Sequence, residues 1–253
     1  MYLYLYDNFL KQKNFDSVVG TIETRLTDYE IAGKVLRLSH FTSEYDIIVD
    51  EARRGVKTVV IVGNDATFGR VLSRSASIDM TFGFIPVGPK NDIANVLGIP
   101  VGEGACDVLS RRRVVPLDVG WFNNRYFVSQ LSIPPSDIEV NYDDRFTVRP
   151  GNASMELVVC NLQPYVFVTK GQKDIVVHPQ DGKLEAFLRP VVKSGWFGKH
   201  YEEPSIFPFE QMRVRGSRAF TVVADGKESK EVDIQIRLAK GKIKMIVGKE
   251  RRF

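Results

Sequence analysis

Apolar positions in the first hundred residues alternate between two periods. MYLYLYD opens the chain as a strand, and Phe15, Val18, Val19, Ile22 and Leu26 then recur at helical spacing. Lys34 to Leu38 read as a second strand, and Tyr45, Ile47, Ile48, Val49 and Ala52 as a second helix ending near Gly55. A β-branched run at Val59–Val62 precedes a helix over 68–75, and a strand over 82–87 precedes a helix over 91–97. Strands alternating with helices predict a parallel sheet covered on both faces. After about residue 114 the helical period disappears. VVPLDVGWF, RYFVSQLSI, SMELVVCNL, YVFVTK, DIVVH, KLEAFLRPVV, RAFTVVAD, EVDIQIRLA and KIKMIVG all read as strands, separated by turns such as Asn123-Asn124, Gly171 and Asp181-Gly182. The predicted fold class is α/β plus all-β: an N-terminal parallel α/β domain over 1–114, then a β-sandwich-like domain over 115–253.

Two strand-to-helix turns carry the chemistry. VVIVGNDATFGRVL, residues 59–72, breaks at Gly63-Asn64-Asp65-Ala66-Thr67, and FGFIPVGPKNDIANVLGIP, residues 82–100, repeats the pattern. Each turn delivers free backbone N–H groups to a helix start, where the helix dipole favours an anion. Ligands of such sheets lie beyond the carboxyl ends of the strands, so the tandem predicts a nucleotide site. Asp65 supplies a carboxylate that suits a helix N-cap or turn, and Thr67 a hydroxyl in the same turn. Asn64 tolerates left-handed dihedrals, whereas Ala66 puts a methyl group where backbone approaches phosphate. The second turn contains Gly88, Asn91 and Asp92; Pro89 has no backbone donor, and Lys90 offers a point charge. Asn91 and Asp92 also suit a helix cap.

Composition narrows the class. The 253 residues are 43% hydrophobic and 26% charged, as in globular proteins, and no apolar run reaches membrane-span length. No signal peptide is visible. Two cysteines, Cys106 and Cys160, make no disulfide framework, and His40, His178 and His200 have no zinc-ligand spacing. A cytoplasmic protein is expected. The net charge is +4, concentrated at Arg111-Arg112-Arg113 and in a tail containing Lys240, Lys242, Lys244, Lys249, Arg251 and Arg252. These read either as a solvated face and a frayed end, or as a contact with phosphates or the anionic inner face of a membrane. No nucleic-acid-binding module accompanies the charge.

The ordered turns resemble the diacylglycerol kinase catalytic family, which includes bacterial lipid kinases and sphingosine kinases and is related in fold to NAD kinases. Gly63-Asn64-Asp65-Ala66-Thr67 stands where the family carries Gly-Gly-Asp-Gly-Thr. Gly88-Pro89-Lys90-Asn91-Asp92, with Ile93-Ala94 and Leu97-Gly98-Ile99-Pro100, is similar to Gly-Thr-Gly-Asn-Asp-Phe-Ala and its downstream Leu-Gly-Ile-Pro. Leu117-Asp118-Val119-Gly120, Arg125-Tyr126-Phe127-Val128, Asp181-Gly182-Lys183-Leu184 and Asp225-Gly226-Lys227 follow in the family's order.

The resemblance implies phosphoryl transfer from ATP, with Mg²⁺, to a lipid hydroxyl such as that of diacylglycerol, in a cleft between two domains. It implies nucleotide contacts at Gly63, Asn64, Asp65, Ala66, Thr67, Gly88, Lys90, Asn91 and Asp92, and catalytic roles for Asp65 and Asp225. Lys227 stands where the family's glutamate is assigned as proton acceptor, so Asp225 is the remaining carboxylate of that turn. Asp181 is the candidate for a structural metal site, and a homodimer is left open. Pro134 and Pro135 replace a glycine-rich segment of the family. Trp196, Phe197, Tyr201, Phe207 and Phe209 suit either core packing or contact with acyl chains. Two alternatives stand beside lipid kinase: a relative that binds nucleotide or lipid without turnover, and a soluble NAD kinase-like or other alcohol kinase.

Overall fold

The computed structural model describes residues 1–39, 43–149, 151, 153–162, 177–193 and 199–253. The expected strand YVFVTK, most of DIVVH, the turn at Gly171, His40, Trp196 and Phe197 lie outside the described residues. The chain divides into two compact units, residues 1–117 with 241–253, and residues 118–240.

In the first unit the elements run β1 (Tyr2–Tyr6), α1 (Asp16–Asp28), β2 (Lys34–Arg37), α2 (Glu44–Arg53), β3 (Thr58–Gly63), α3 (Asp65–Ser75), β4 (Thr81–Pro86), α4 (Asp92–Val96), α5 (Gly104–Arg111) and β5 (Val114–Leu117). The sheet order is β2-β1-β3-β4, then the last strand of the chain, Ile243–Ile246, then β5. Strands β1 to β4 are parallel, and β1 has β2 on one side and β3 on the other. The winding therefore reverses between β1 and β3, the place where open α/β sheets receive ligands. Every residue of β3 is buried, as a central β-branched strand under helices requires. Phe68 of α3 meets Phe84 of β4 with ring centroids 4.9 Å apart, tying the third helix to the sheet.

Three features depart from the expected pattern. Helix α5 is additional: only Ala105, Cys106 and Leu109 are buried along it, too few apolar positions to announce a helical stripe. It closes on Arg112, which adopts φ 48° and donates to Tyr2 Oη and Thr58 Oγ1, both at 3.0 Å. Arg112 is thus the C-cap of α5 while remaining, with Arg111 and Arg113, on an exposed basic face. VVPLDVGWF splits between two sheets, β5 in the first unit and Gly120–Phe122 in the second.

KIKMIVG, expected in the all-β domain, enters the first sheet, parallel to β4 and antiparallel to β5. Its alternation of buried and exposed positions marks a strand without marking its partner. The tail beyond it is not frayed: Gly248 N donates to Leu97 O and Arg252 N to Val96 O, both at 2.9 Å. A Cβ at Gly248 would overlap the Gly98 carbonyl, so two backbones meet there without side chains.

Among the described residues the second unit is one eleven-stranded antiparallel sheet: β6 (Gly120–Phe122), β7 (Arg125–Phe127), β8 (Gln130–Ser136), β9 (Ile138–Tyr142), β10 (Phe146–Val148), β11 (Ser154–Cys160), β12 (Leu184–Lys193), β13 (Lys199–Tyr201), β14 (Ser205–Phe209), β15 (Gln211–Ala224) and β16 (Lys227–Leu238). Its main path runs β13-β12-β11-β8-β15-β16-β6-β7. Phe127 of β7 and Leu188 of β12, near opposite ends of that path, share one buried cluster with Leu157, Phe209, Val214 and Ile236. A sheet whose ends share a core must curl, which accounts for the sandwich-like pattern in the sequence. Pro134 and Pro135 fall where the β8–β11 register shifts, so neither has to donate to the ladder. Phe209 is in the core, Phe207 packs against it, and Tyr201 is exposed under the Arg189 guanidinium.

Gly248→Ala is expected to destabilise the first unit by more than about 2 kcal/mol, because the new methyl displaces backbone. Urea unfolding checks this, with the exposed Gly241→Ala as control.

Candidate functional site

Parallel pairing of β3 with β4 sets Gly63 opposite Pro86, and Val87 N donates to Gly63 O at 2.7 Å. The two turns therefore leave the sheet side by side. Asn64 caps α3 in an extended conformation, φ −108°, its Oδ1 accepting from Thr67 N at 3.2 Å. The expected left-handed geometry is absent at Asn64; asparagine serves here as an N-cap. Ala66 is an exposed residue of the first helical turn. The left-handed positions are in the second turn, at Gly88 (φ 86°) and Lys90 (φ 63°), so Lys90 holds a conformation that favours glycine.

Asp65 joins the turns. Its N–H donates to Lys90 O at 3.1 Å, and its Oδ2 accepts from Asp92 N at 2.7 Å and Ile93 N at 3.3 Å. Its Oδ1 is buried without a partner among the described residues, as is Asn91 Oδ1, while Asn91 Nδ2 donates to Gly88 O at 2.7 Å. Burial is the largest influence on Asp65 and pushes its pKa up to about 6; the N–H groups of Ile93 and Asp92 pull the other way.

Thr67 is committed inside the fold. It is buried, and its hydroxyl donates to Asp7 Oδ2 at 2.7 Å, which leaves no free hydroxyl for phosphate. Asp7, at the end of β1, also accepts from Phe9 N at 3.1 Å and Arg70 Nη2 at 2.8 Å. Burial would raise the Asp7 pKa, but these donors outweigh it and hold the carboxyl below its ordinary value. Asp7, Phe9, Glu44, Arg70 and Arg74 line a cleft of about 550 Å³ in the first unit. None of them was among the sequence candidates. The available signal was positional: Asp7-Asn8 follows β1 as Asn64-Asp65 follows β3.

In the second unit, the Asp225 carboxylate accepts from Val128 N (2.7 Å), Ser129 N (2.9 Å), Ser129 Oγ (2.7 Å) and Gln130 N (3.2 Å). Burial raises its pKa despite those donors. This geometry makes Asp225 a clamp on the Val128–Gln130 backbone, with both carboxylate oxygens engaged. Lys227 and Glu228 are exposed.

Asp181 is exposed, and its Oδ1 accepts from Lys183 N at 3.0 Å, closing its own turn. Nearby Glu185 is pushed up to about 7, first by burial and then by the charges of Asp181 and Asp118. Among the described residues no group of three or more His, Cys, Asp or Glu is arranged to hold a metal ion. The metal expectation at Asp181 has no such support.

With both turns closed into one hydrogen-bonded unit on a parallel sheet, the comparisons with known proteins are informative. Residues 3–122 match the diacylglycerol kinase catalytic domain family. The chain is diacylglycerol kinase-like. It is 34% identical over 84 residues to a diacylglycerol kinase of Bacillus subtilis (strain 168), covering 32% of this chain and 28% of that protein. It is 33% identical over 86 residues to a diacylglycerol kinase of Staphylococcus haemolyticus (strain JCSC1435), covering 31% and 26%. The match thus spans less than a third of the length of these curated relatives. A crystal structure of a diacylglycerol kinase from Bacillus anthracis str. Sterne superposes with a TM-score of 0.78 at 19% identity, covering 99% of this chain and 97% of that one. That likeness shows the fold. The diacylglycerol kinase family resemblance read from the ordered motifs is borne out, and the family is one of kinases, which are transferases.

Two stability measurements follow from the carboxylates. Ionised Asp65 is disfavoured in the folded state, so wild type loses stability as pH rises from about 4 through about 6. Asp65→Asn is expected to be the more stable protein at pH 8, by about 1–2 kcal/mol after solvent screening, and to lose that advantage near pH 4. Thermal melts across this range check it. Asp225→Ala is expected to cost the second unit about 3 kcal/mol, because buried donors lose their acceptor; denaturant unfolding checks this.

Proposed function

We propose that the chain is an ATP-dependent phosphotransferase acting on a lipid hydroxyl such as that of diacylglycerol. The observation that carries the reading is the pair of turns closed through Asp65, with two buried oxygens, Asp65 Oδ1 and Asn91 Oδ1, left without partners among the described residues. Unpartnered carboxylate and amide oxygens suit a hard cation such as Mg²⁺, with water completing the shell. The residues present therefore fit the ion, and Asp65 and Asn91 would hold it. When bound, Mg²⁺ supplies positive charge against the phosphates. Lys90, exposed at the crest of the second turn, adds an ammonium group on the same turn.

Phosphoryl transfer asks chiefly for positioning and charge, with little covalent work from the protein. Commitment of the Asp225 carboxylate to Val128–Gln130 therefore slows the reaction without forbidding it. The acceptor hydroxyl reacts without a strong base, and turnover is correspondingly low. Exposed Lys249 and Arg252 extend the proposal to peripheral contact with an anionic, cytoplasmic membrane face. No helix among the described residues is long and apolar enough to cross a membrane.

A second reading, nucleotide binding without turnover, is favoured by one observation: the turn of the family's glutamate here offers exposed Lys227 and a fully engaged Asp225. Transfer from radiolabelled ATP to diacylglycerol in anionic vesicles, with Mg²⁺, separates the two. Slow wild-type transfer, a loss of about 100-fold in Asp65→Asn and a gain of about tenfold in Lys227→Glu are expected. No transfer by wild type or Lys227→Glu, with ATP still raising the melting temperature, leaves the second reading. Indifference of the melting temperature to ATP defeats both.

A further inference from the structure

The outward face of the second unit's sheet holds a cavity to which none of the family-like motifs contributes a residue. Strand register sets Arg213 of β15 between Asn141 of β9 and Gln235 of β16, while Val214 and Ile236, their neighbours along the strands, point into the core. Turns wall this row on both sides. Asn123 lies along the flank of β16, its Oδ1 accepting from Gln235 N at 3.2 Å and its Nδ2 donating to Asp233 O at 3.0 Å. On the β9 side, Asp143 Oδ1 accepts from Gln211 N at 3.1 Å, and Asp144 Oδ2 from Gln211 Nε2 at 3.3 Å. The cavity between the walls measures about 510 Å³, within the range of about 300–1,000 Å³ common to small-molecule sites.

Its chemistry selects among ligand classes. Arg213 Nε and Nη2 donate to Asp233 Oδ1 and Oδ2 at 2.9 and 2.6 Å, and Arg215 Nε donates to Asp233 Oδ2 at 3.2 Å. The guanidinium fork is thus satisfied by a carboxylate of the protein itself. Asp143, Asp144 and Asp233 line the cavity against the single cation Arg213, so its field disfavours an anionic ligand. Among the described residues, donors remain at Arg213 Nη1 and the Gln235 amide, and acceptors at Asn141 Oδ1 and Asp144 Oδ1. A phosphate only accepts and an ammonium only donates, whereas each hydroxyl does both. Neighbouring hydroxyls of a sugar ring therefore fit this mixture where either ion leaves half of it unpaired. We propose that the cavity binds a neutral saccharide through Asn141, Asp144, Arg213 and Gln235. The hydroxyls belong either to a free oligosaccharide or to the sugar headgroup of a lipid. The site lies within the second unit and does not rest on the phosphotransferase reading.

The test follows the side-chain amide resonances of Asn141 and Gln235 while the full chain is titrated with maltotriose, cellotriose and mannotriose. Saturable shifts of both are expected with at least one trisaccharide at millimolar concentration, and none with inorganic phosphate or spermidine. Gln235→Ala, which removes an exposed side chain outside the Arg213–Asp233 pair, is expected to weaken binding about threefold. Asp144→Asn, which tolerates the left-handed φ of 53° but loses the charged acceptor, is expected to weaken it about fivefold. Recruitment to phosphatidylcholine vesicles carrying glucosylceramide, weakened in Asp144→Asn, assigns the hydroxyls to a lipid headgroup. Trisaccharide binding without recruitment assigns them to a free saccharide. Neither shifts nor recruitment in wild type, saturable shifts with phosphate or spermidine, or binding unchanged in both variants, overturns the site.

Discussion

The parallel pairing of β3 with β4 is the constraint on which the first unit's chemistry depends. It brings two turns, 25 residues apart in the chain, to one edge of the sheet, from Gly63 opposite Pro86 outward. The Asp65 carboxylate closes the remaining gap by accepting the first N–H groups of α4. A short helix gains its cap, and the carboxylate is held where burial disfavours its charge. Asp65 therefore holds the turns together while its Oδ1 stays buried without a partner among the described residues. Functional sites commonly carry such local costs.

The same device recurs in the second unit with a different balance. Asp225 gathers the backbone of Val128, Ser129 and Gln130 and leaves no comparable spare oxygen. The two aspartates of the family-like motifs are thus unequal: one is a clamp with residual capacity and the other a clamp alone. The asymmetry is one of hydrogen bonding: Asp65 Oδ1 has no partner among the described residues, whereas both oxygens of Asp225 accept backbone donors.

Much of the fold was legible because local patterns and sheet position agreed. Val59–Val62 read as a buried strand and is the centre of the sheet, while the stripe from Phe15 to Leu26 gave α1. What escaped was non-local. Nothing in KIKMIVG says that its partners are β4 and β5 rather than β16, and α5 buries too few residues to show a period. At the site, the residues of both turns were legible as a pair, but their individual tasks were not. Asn64 looked like a left-handed turn residue and is a cap. Thr67 looked like a phosphate donor and serves Asp7, and Lys90 took over the left-handed position. The Arg70–Glu44–Arg74 network joins two helices by side chains 26 and 30 residues apart, a relation that spacing cannot display.

The central claim is that a nucleotide and its metal ion meet this chain at the paired turns of the first unit. The most direct measurement is the backbone amide spectrum of the full chain titrated with a non-hydrolysable ATP analogue and Mg²⁺. The account predicts saturable shifts concentrated at residues 64–67 and 88–93, strongly reduced in Asp65→Asn. Saturable shifts that leave both turns unmoved, or that persist undiminished in that variant, would contradict it.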